Sequence, residues 1–329
     1  KLPQSGQGTD RLPTGATRRE VLSDRDMPAD ELPQPRPDDR GLAVAGAREL
    51  ADQTVAAWTE FIAIAEGLDM DAPTRVKKTP VRAIIAKVGT WPQSRQLAQI
   101  LSDAQSGRVE RVDQKAIDKL AVGSNVDRSK EELIAAVALS RDSLVDWLAG
   151  TLPDVPAFDD FALIDVGSPL GPLPIITYMH AGAFQLAVNA RDLEVAGATT
   201  SQSLSRVGLR ALVDTTGALA ARMHITATFA VVTPASSVFT VSGEGGWVAG
   251  DIGPTEGREL AGIEGDIGVV LDIASGRKNP VRRLHQKEIT VRDVPAMLRL
   301  APIAHANPGL PGGPVLRKAA SFLSVFDRG

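Results

Sequence analysis

The spacing of apolar residues in this chain changes after about residue 206, and that change restricts the fold more than any other feature. Before it, apolar side chains recur at helical intervals, as at Leu50, Val55, Trp58 and Ile62. After it, short runs bounded by glycine and polar turns predominate, which is typical of strands. Helices followed by a group of strands predict an α+β fold. The length of 329 residues is enough for two cores.

The first part predicts an antiparallel helical bundle over residues 41–196. Its helices are expected at residues 41–67, from Thr79-Pro80 to the interruption at Trp91-Pro92, and at 94–105, 113–120, 129–149 and 172–195. Ser129-Lys130-Glu131-Glu132 is a capping-box pattern that opens one of them. Bundles of this kind place ligand-binding groups in their core.

The second part, residues 207–329, predicts a smaller α+β domain after a linker at residues 196–206. Helices are expected at residues 207–223, 280–285 and 293–300, and strands at 225–233, 237–242, 246–249, 269–273 and 289–291. Gly243-Glu244-Gly245-Gly246 lies between two strands. It therefore predicts a hairpin turn and not a phosphate-binding loop, which would open a helix.

Residues 1–40 are rich in proline and charge and poor in large apolar side chains. Such a segment buries too little surface to offset its ordering entropy, so it predicts an extended or disordered tail. Two interpretations stay open. The tail docks, on its own body or on another protein chain, or it is a passive extension.

Composition excludes several classes of function. The absence of cysteine rules out disulfides, cysteine-bound zinc and a thiol nucleophile, and it fits a cytoplasmic protein. The net charge of −4 indicates no basic face for nucleic acid. No run approaches the ~20 apolar residues of a membrane span. The serines have no visible acid–base partner and do not support a serine nucleophile.

Gln185 and Asn189 lie four residues apart on a predicted helix, about one turn, so both side chains point to one place. A glutamate and a histidine at this spacing, with a histidine from a second helix, would form a three-ligand metal site with an open position. The amides present here, and the ammonium of Lys87 on another helix, are poor ligands for zinc.

Resemblance to the mycothiol-dependent maleylpyruvate isomerase family is carried by residues 81–97, 171–193, 211–217, 271–280, 301–303 and 308–313. It implies a DinB-like bundle followed by a sterol-carrier-like domain. It also implies that Lys87, Gln185 and Asn189 stand where the family has its metal ligands, so that the metal site is degenerate. In the family's chemistry, the metal activates the mycothiol thiolate for attack on an electrophilic substrate.

Three further features each have a plain and a sharper interpretation. Lys87 is either structural, with its ammonium donating hydrogen bonds to the two amide oxygens, or a base or nucleophile in a pocket. His180 lies about 140° around the helix from Gln185 and is expected to be a packed residue. A local basic cluster is either a solvated turn or an anion-binding edge. It consists of Arg277, Lys278, Arg282 and Arg283.

These observations predict a non-catalytic pseudoenzyme of that family, a binding or assembly protein that uses its tail or a retained pocket and needs no cofactor. The first alternative is a mycothiol-dependent isomerase or transferase, which would need mycothiol and a divalent metal. The second is a carrier of a lipid or another small apolar molecule. A large apolar pocket favours the carrier, a tail ordered on another chain favours assembly, and metal at the three positions favours the enzyme.

Overall fold

The computed structural model describes residues 32–125, 127–153 and 155–306. A helical part precedes a five-stranded sheet, which confirms the predicted α+β class. The helices are α1 (Leu42–Glu66), α2 (Val81–Val88), α3 (Ser94–Gln105), α4 (Gln114–Asn125), α5 (Lys130–Ala149), α6 (Phe158–Phe161), α7 (Ile175–Asp192), α8 (Gln202–Arg222), α9 (Pro254–Glu259), α10 (Ile267–Ala274), α11 (Pro280–His285), α12 (Val294–Leu298) and α13 (Ala301–Ala306). The strands are β1 (Asp165–Val166), β2 (Leu173–Pro174), β3 (Ala227–Val232), β4 (Ser237–Gly243), β5 (Gly246–Asp251), β6 (Gly262–Gly265) and β7 (Ile289–Arg292). Among the described helices, none has both the length and the apolarity that a bilayer span requires.

Apolar spacing and local capping explain the bundle helices. Most of the predicted stripe on α1 is buried: Trp58 is fully enclosed, Leu50 and Ile62 are nearly so, and Val55 is half-buried. The predicted capping box opens α5. The Ser129 hydroxyl accepts the backbone N–H of Glu132, and the Glu132 carboxylate accepts the backbone N–H of Ser129. Both helices therefore begin and pack as their local sequence predicts.

Helix α7 is the centre of the molecule and lies between α1 and α8. It is buried on most of its circumference, because small residues allow its neighbours to approach closely. Gly208 of α8 is the clearest case. A Cβ atom there would lie 2.6 Å from the Cβ atom of Ala187 on α7. The pair α7 and α8 thus forms one tightly packed unit that joins the helical part to the sheet.

The sheet has the strand order β5-β4-β3-β6-β7, in which β3 and β6 are parallel and the other neighbours are antiparallel. Leu209 and Val213 of α8 pack on its face against Phe229, Val231 and Val238. The predicted hairpin at residues 243–246 is confirmed, since it joins β4 to β5. Its two central residues both have positive φ, which is the geometry of a two-residue hairpin turn.

The segment 32–41 covers the outer edge of β5. The Gly41 N–H donates to the Trp247 carbonyl oxygen at 2.8 Å, and the Trp247 N–H donates to the Asp39 carbonyl oxygen at 3.2 Å. These bonds satisfy backbone groups that an open sheet edge would expose. The end of the predicted tail thus lies on the chain's own body. The predictions for residues 1–31 and 307–329 fall outside the described residues.

Several predicted elements differ from the structure. The strand predicted at residues 269–273 is wrong, because these residues lie in α10, which Asp266 caps by accepting the N–H groups of Gly268 and Val269. The predicted linker is too long, because α8 begins at Gln202 after the Ser201 cap. Helix α9 and strand β6 were not predicted. The sequence of β6, Gly-Ile-Glu-Gly, has no apolar alternation that would reveal it.

Candidate functional site

A cavity of about 620 Å³ lies over the groove between α7 and α8; we call it the α7–α8 cavity. Its other walls come from the end of α2, the segment 111–113, α4, the loop 169–170, the α10–α11 turn and α13. Most of the lining is apolar, including Val88, Phe184, Val188, Leu212 and Leu219. The volume falls within the range usual for small-molecule sites, about 300–1,000 Å³.

All three positions singled out in the sequence line this cavity. Lys87 lies in the last turn of α2, and Gln185 and Asn189 lie one turn apart on α7. One interpretation of Lys87 had its ammonium donate hydrogen bonds to the two amides. The described residues show no such bonds. The Lys87 ammonium instead lies 3.1 Å from a carboxylate oxygen of Asp118 on α4, and its side chain is 43% exposed.

The two amides differ in burial but share one property. Asn189 is only 5% exposed, and Gln185 is half-buried. Neither side chain has a hydrogen-bond partner among residues 32–125, 127–153 and 155–306. Both amides face the cavity, so water or a ligand inside it supplies their hydrogen bonds, and a ligand that displaces the water without replacing those bonds is disfavoured.

An aromatic wall stands further along the same face of α7. Tyr178, seven residues before Gln185, stacks on Trp91 with ring centroids 5.1 Å apart, and Trp58 meets Trp91 edge-on at 6.2 Å. Burial raises the pKa of Tyr178, so its hydroxyl stays protonated and can donate. Gly182 keeps Trp91 close, since a Cβ atom there would lie 3.1 Å from the indole ring.

The predicted basic cluster divides between the cavity and other contacts. Only Arg277 of the four lines the cavity, and it donates to both carboxylate oxygens of Asp192, which is 1% exposed. Lys278 pairs with Asp272 at 3.1 Å, and Arg283 pairs with Glu288. The fourth, Arg282, donates its backbone N–H in the cap of α11. Anion binding by this cluster stays a prediction.

Asp272 is the centre of an ion-pair network beneath that end of the cavity. Its carboxylate is 1% exposed and lies within 3.2 Å of nitrogens of Arg75, Arg191 and Lys278. Burial by itself raises the pKa of Asp272, but the hydrogen bonds from Arg191 and Arg75 outweigh it and lower that pKa to about 2. The network ties α10 to α7 and so fixes the polar end of the cavity.

The side chains at the three positions do not suit a divalent metal. Two neutral amides offer only weakly donating oxygens, the ammonium of Lys87 offers no lone pair, and none of the three supplies the negative charge or the imidazole nitrogen that zinc prefers. In the part of the chain that the structure describes, no group of three or more histidine or acidic side chains is placed to hold a metal ion. His180 is fully buried beside Thr54, and burial lowers its pKa to about 3, so it is a neutral packed residue.

No family model matches the sequence, and no curated protein matches it. Two solved structures are similar to this one, both of the mycothiol-dependent maleylpyruvate isomerase. The first has 14% sequence identity and a TM-score of 0.46, and covers 77% of this chain and 93% of its own. The second, a mutant, has 13% identity and a TM-score of 0.45, with 77% and 92% covered. This likeness concerns the fold alone.

Sequence reasoning missed the aromatic wall and the Lys87–Asp118 pair. Tyr178 could have been found, because it is the chain's only tyrosine and its spacing of seven places it on the Gln185 face. Asp118 had no such signal. Its contact with Lys87 depends on how α4 docks against α2, which no local pattern specifies.

Proposed function

We propose that this protein is a non-catalytic binding protein that takes a small, largely apolar molecule into the α7–α8 cavity. One observation carries the proposal. The three positions where the resemblance places the family's metal ligands open into a cavity with mostly apolar walls and an aromatic end. Among the functions predicted from the sequence, a retained pocket and a small-molecule carrier both require such a space.

The chemistry of the three side chains supports binding without a metal-centred reaction. Lys87 is engaged by Asp118, and the two amides are neutral. Activation of a thiolate by a metal would need ligands of another kind at these positions. The mycothiol-dependent alternative therefore has no support from this site, and its direct test is the metal content of the protein.

Binding is tested with N-phenyl-1-naphthylamine, a neutral apolar fluorophore whose emission rises when it leaves water. The native chain is expected to bind about one molecule with saturation. Val188→Trp fills the cavity from α7 and is expected to abolish binding, and Ala181→Leu to weaken it. Val195→Trp is the matched control, because Val195 is 60% exposed and lies outside the cavity. Equal binding by Val188→Trp and Val195→Trp variants of unchanged thermal stability would refute the proposal.

The metal content is tested by elemental mass spectrometry of the purified protein. The native chain is expected to carry no stoichiometric metal. A Lys87→His, Gln185→Glu, Asn189→His variant is expected to carry about one divalent ion per chain, because it restores two imidazoles and a carboxylate around one point. Stoichiometric zinc in the native chain, together with mycothiol-dependent turnover, would replace binding with the isomerase or transferase alternative.

A further inference from the structure

The amides of Asn189 and Gln185 are the two side chains of the α7–α8 cavity that present both a donor and an acceptor and have no hydrogen-bond partner among the described residues; the hydroxyls of Tyr178 and Thr215 also line it without one. Asn189 is only 5% exposed, and its side chain lines the cavity. Each carboxamide presents a donor and an acceptor side by side. Since the two residues lie one turn apart on the same face, their groups are offset by roughly 6 Å along the helix axis.

The charged groups of the cavity, by contrast, already have partners. Lys87 pairs with Asp118, and Arg277 pairs with the buried carboxylate of Asp192. Arg111 donates to the carbonyl oxygen of Ala306 and has further interactions. An anionic ligand that captured Arg277 would leave the Asp192 charge buried without compensation, which is strongly unfavourable. The cationic side chains therefore do not make this an anion site.

We propose that the molecule bound in the α7–α8 cavity carries an uncharged group with a donor beside an acceptor, such as a primary carboxamide, which Asn189 and Gln185 recognise. This inference rests on the proposed function and names the class of ligand for that same cavity. The apolar body of the ligand extends from the amides toward Tyr178 and Trp91. Tyr178 lies roughly 10 Å from Gln185 along the α7 axis, given the rise of seven helical residues.

The selectivity follows from the expense of leaving a buried amide unpaired. A ligand that satisfies Asn189 exchanges hydrogen bonds with water for hydrogen bonds with the protein, whereas an apolar ligand leaves the amide dry and unpaired. Sites built to hydrogen-bond a polar group reject analogues that lack it more strongly than apolar pockets reject an extra methylene. For one amide contact we expect the affinity for a carboxamide ligand to exceed that for its apolar analogue by about tenfold or more.

The test uses three probes of one shape: 2-naphthamide, 2-naphthoate and naphthalene. Each is titrated against bound N-phenyl-1-naphthylamine, and its displacement gives an affinity. In the native chain 2-naphthamide is expected to bind about tenfold more tightly than 2-naphthoate. Asn189→Leu, which keeps the side-chain size, is expected to lower the 2-naphthamide affinity about tenfold and to tighten naphthalene binding, because no amide is then left dry and unpaired.

Gln185→Leu is a second variant with the same expected direction, so that the result does not depend on one folded mutant. Gln96→Leu is its matched control, because Gln96 is an exposed residue on α3 outside the cavity. Tighter binding of 2-naphthoate than of 2-naphthamide, or full 2-naphthamide affinity in both leucine variants, would overturn the inference while the proposed function stands. If naphthalene and the fluorophore also fail to bind the native chain, the proposed function falls and the inference with it.

Discussion

Asp214 gives the sharpest prediction about the stability of this fold. It lies on α8, is fully buried, and fastens two elements through one oxygen. Its Oδ1 atom accepts the Leu42 N–H at 3.0 Å and the Trp247 indole N–H at 2.8 Å. Its Oδ2 atom has no partner among the described residues. Burial of a half-satisfied carboxylate raises the pKa of Asp214 from 3.8 to about 6.

The sign of the pH effect follows from that direction. The folded state holds a proton on Asp214 between about pH 6 and pH 3.8, where the unfolded chain has lost it. Stability contributed by this group therefore rises as the pH falls through that window, and the destabilisation is complete above it. A pKa difference of about two units between the folded and unfolded states destabilises the fold by about 3 kcal/mol at high pH. About 2 kcal/mol of that stability is regained between pH 8 and pH 4.5.

His180 acts in the opposite direction over nearly the same window. Burial lowers its pKa from 6.5 to about 3, so the unfolded chain takes up a proton that the folded chain excludes. Stability from His180 is therefore lost as the pH falls below 6.5, by about 3 kcal/mol at pH 4.5. In the native chain the two buried groups largely cancel.

Asp214→Asn removes one side of that balance and keeps an oxygen acceptor for Leu42 and Trp247. Urea unfolding of both proteins from pH 8 to pH 4.5 should give a stability difference that changes by about 2 kcal/mol, with the variant losing more in acid. All other titrations, including that of His180, cancel in the difference. A difference that stays constant with pH would show that the Asp214 pKa is not raised and would refute the reasoning.

Three more outcomes follow from contacts of the fold. Lys87→Met should speed hydrogen exchange in α4, which the pair with Asp118 tethers, more than Lys119→Met does, while global stability changes by at most about 1 kcal/mol. Gly208→Ala should lower the free energy of unfolding by about 1–3 kcal/mol, because its Cβ would overlap α7, whereas Gly123→Ala, in open space on α4, should raise it by up to about 1 kcal/mol. Asp272→Asn should lower it by about 3–5 kcal/mol, since three cationic side chains lose their buried counter-charge, and a loss under about 1 kcal/mol in urea would contradict this.

Local chemistry made the bundle predictable. The Ser129 cap acts within four residues, and the stripe on α1 repeats over the length of one helix. Helix α10 differs from the predicted strand because its run of Ile, Val and Leu is short and is interrupted only by Asp272. Such a run does not distinguish a buried strand from a buried helix. The local signal that decides it is Asp266, whose carboxylate caps the helix.

In the candidate site, too, only the part set by local spacing was predictable. The spacing of Gln185 and Asn189 places them on one face of α7, and the structure opens that face into a cavity. The ion pairs in the cavity wall opposite α7 could not be predicted, because they join residues far apart in the chain. Lys87 and Asp118 are 31 residues apart, and Arg277 and Asp192 are 85 residues apart. Tertiary packing alone decides which charges are left for a ligand.

The last turn of α7 joins stability to selectivity. Asn189 faces the cavity there, and Asp192, three residues later, holds Arg277 at the cavity wall through two short hydrogen bonds. A change at Asp192 would therefore free a cation into the cavity and also remove a buried ion pair, so its effects on binding and folding cannot be separated. Gln185 lies one turn earlier, half-buried and without a partner among the described side chains. Substitutions at Gln185 should consequently alter ligand preference with little loss of stability, which makes it the position where the specificity of this cavity can change most readily.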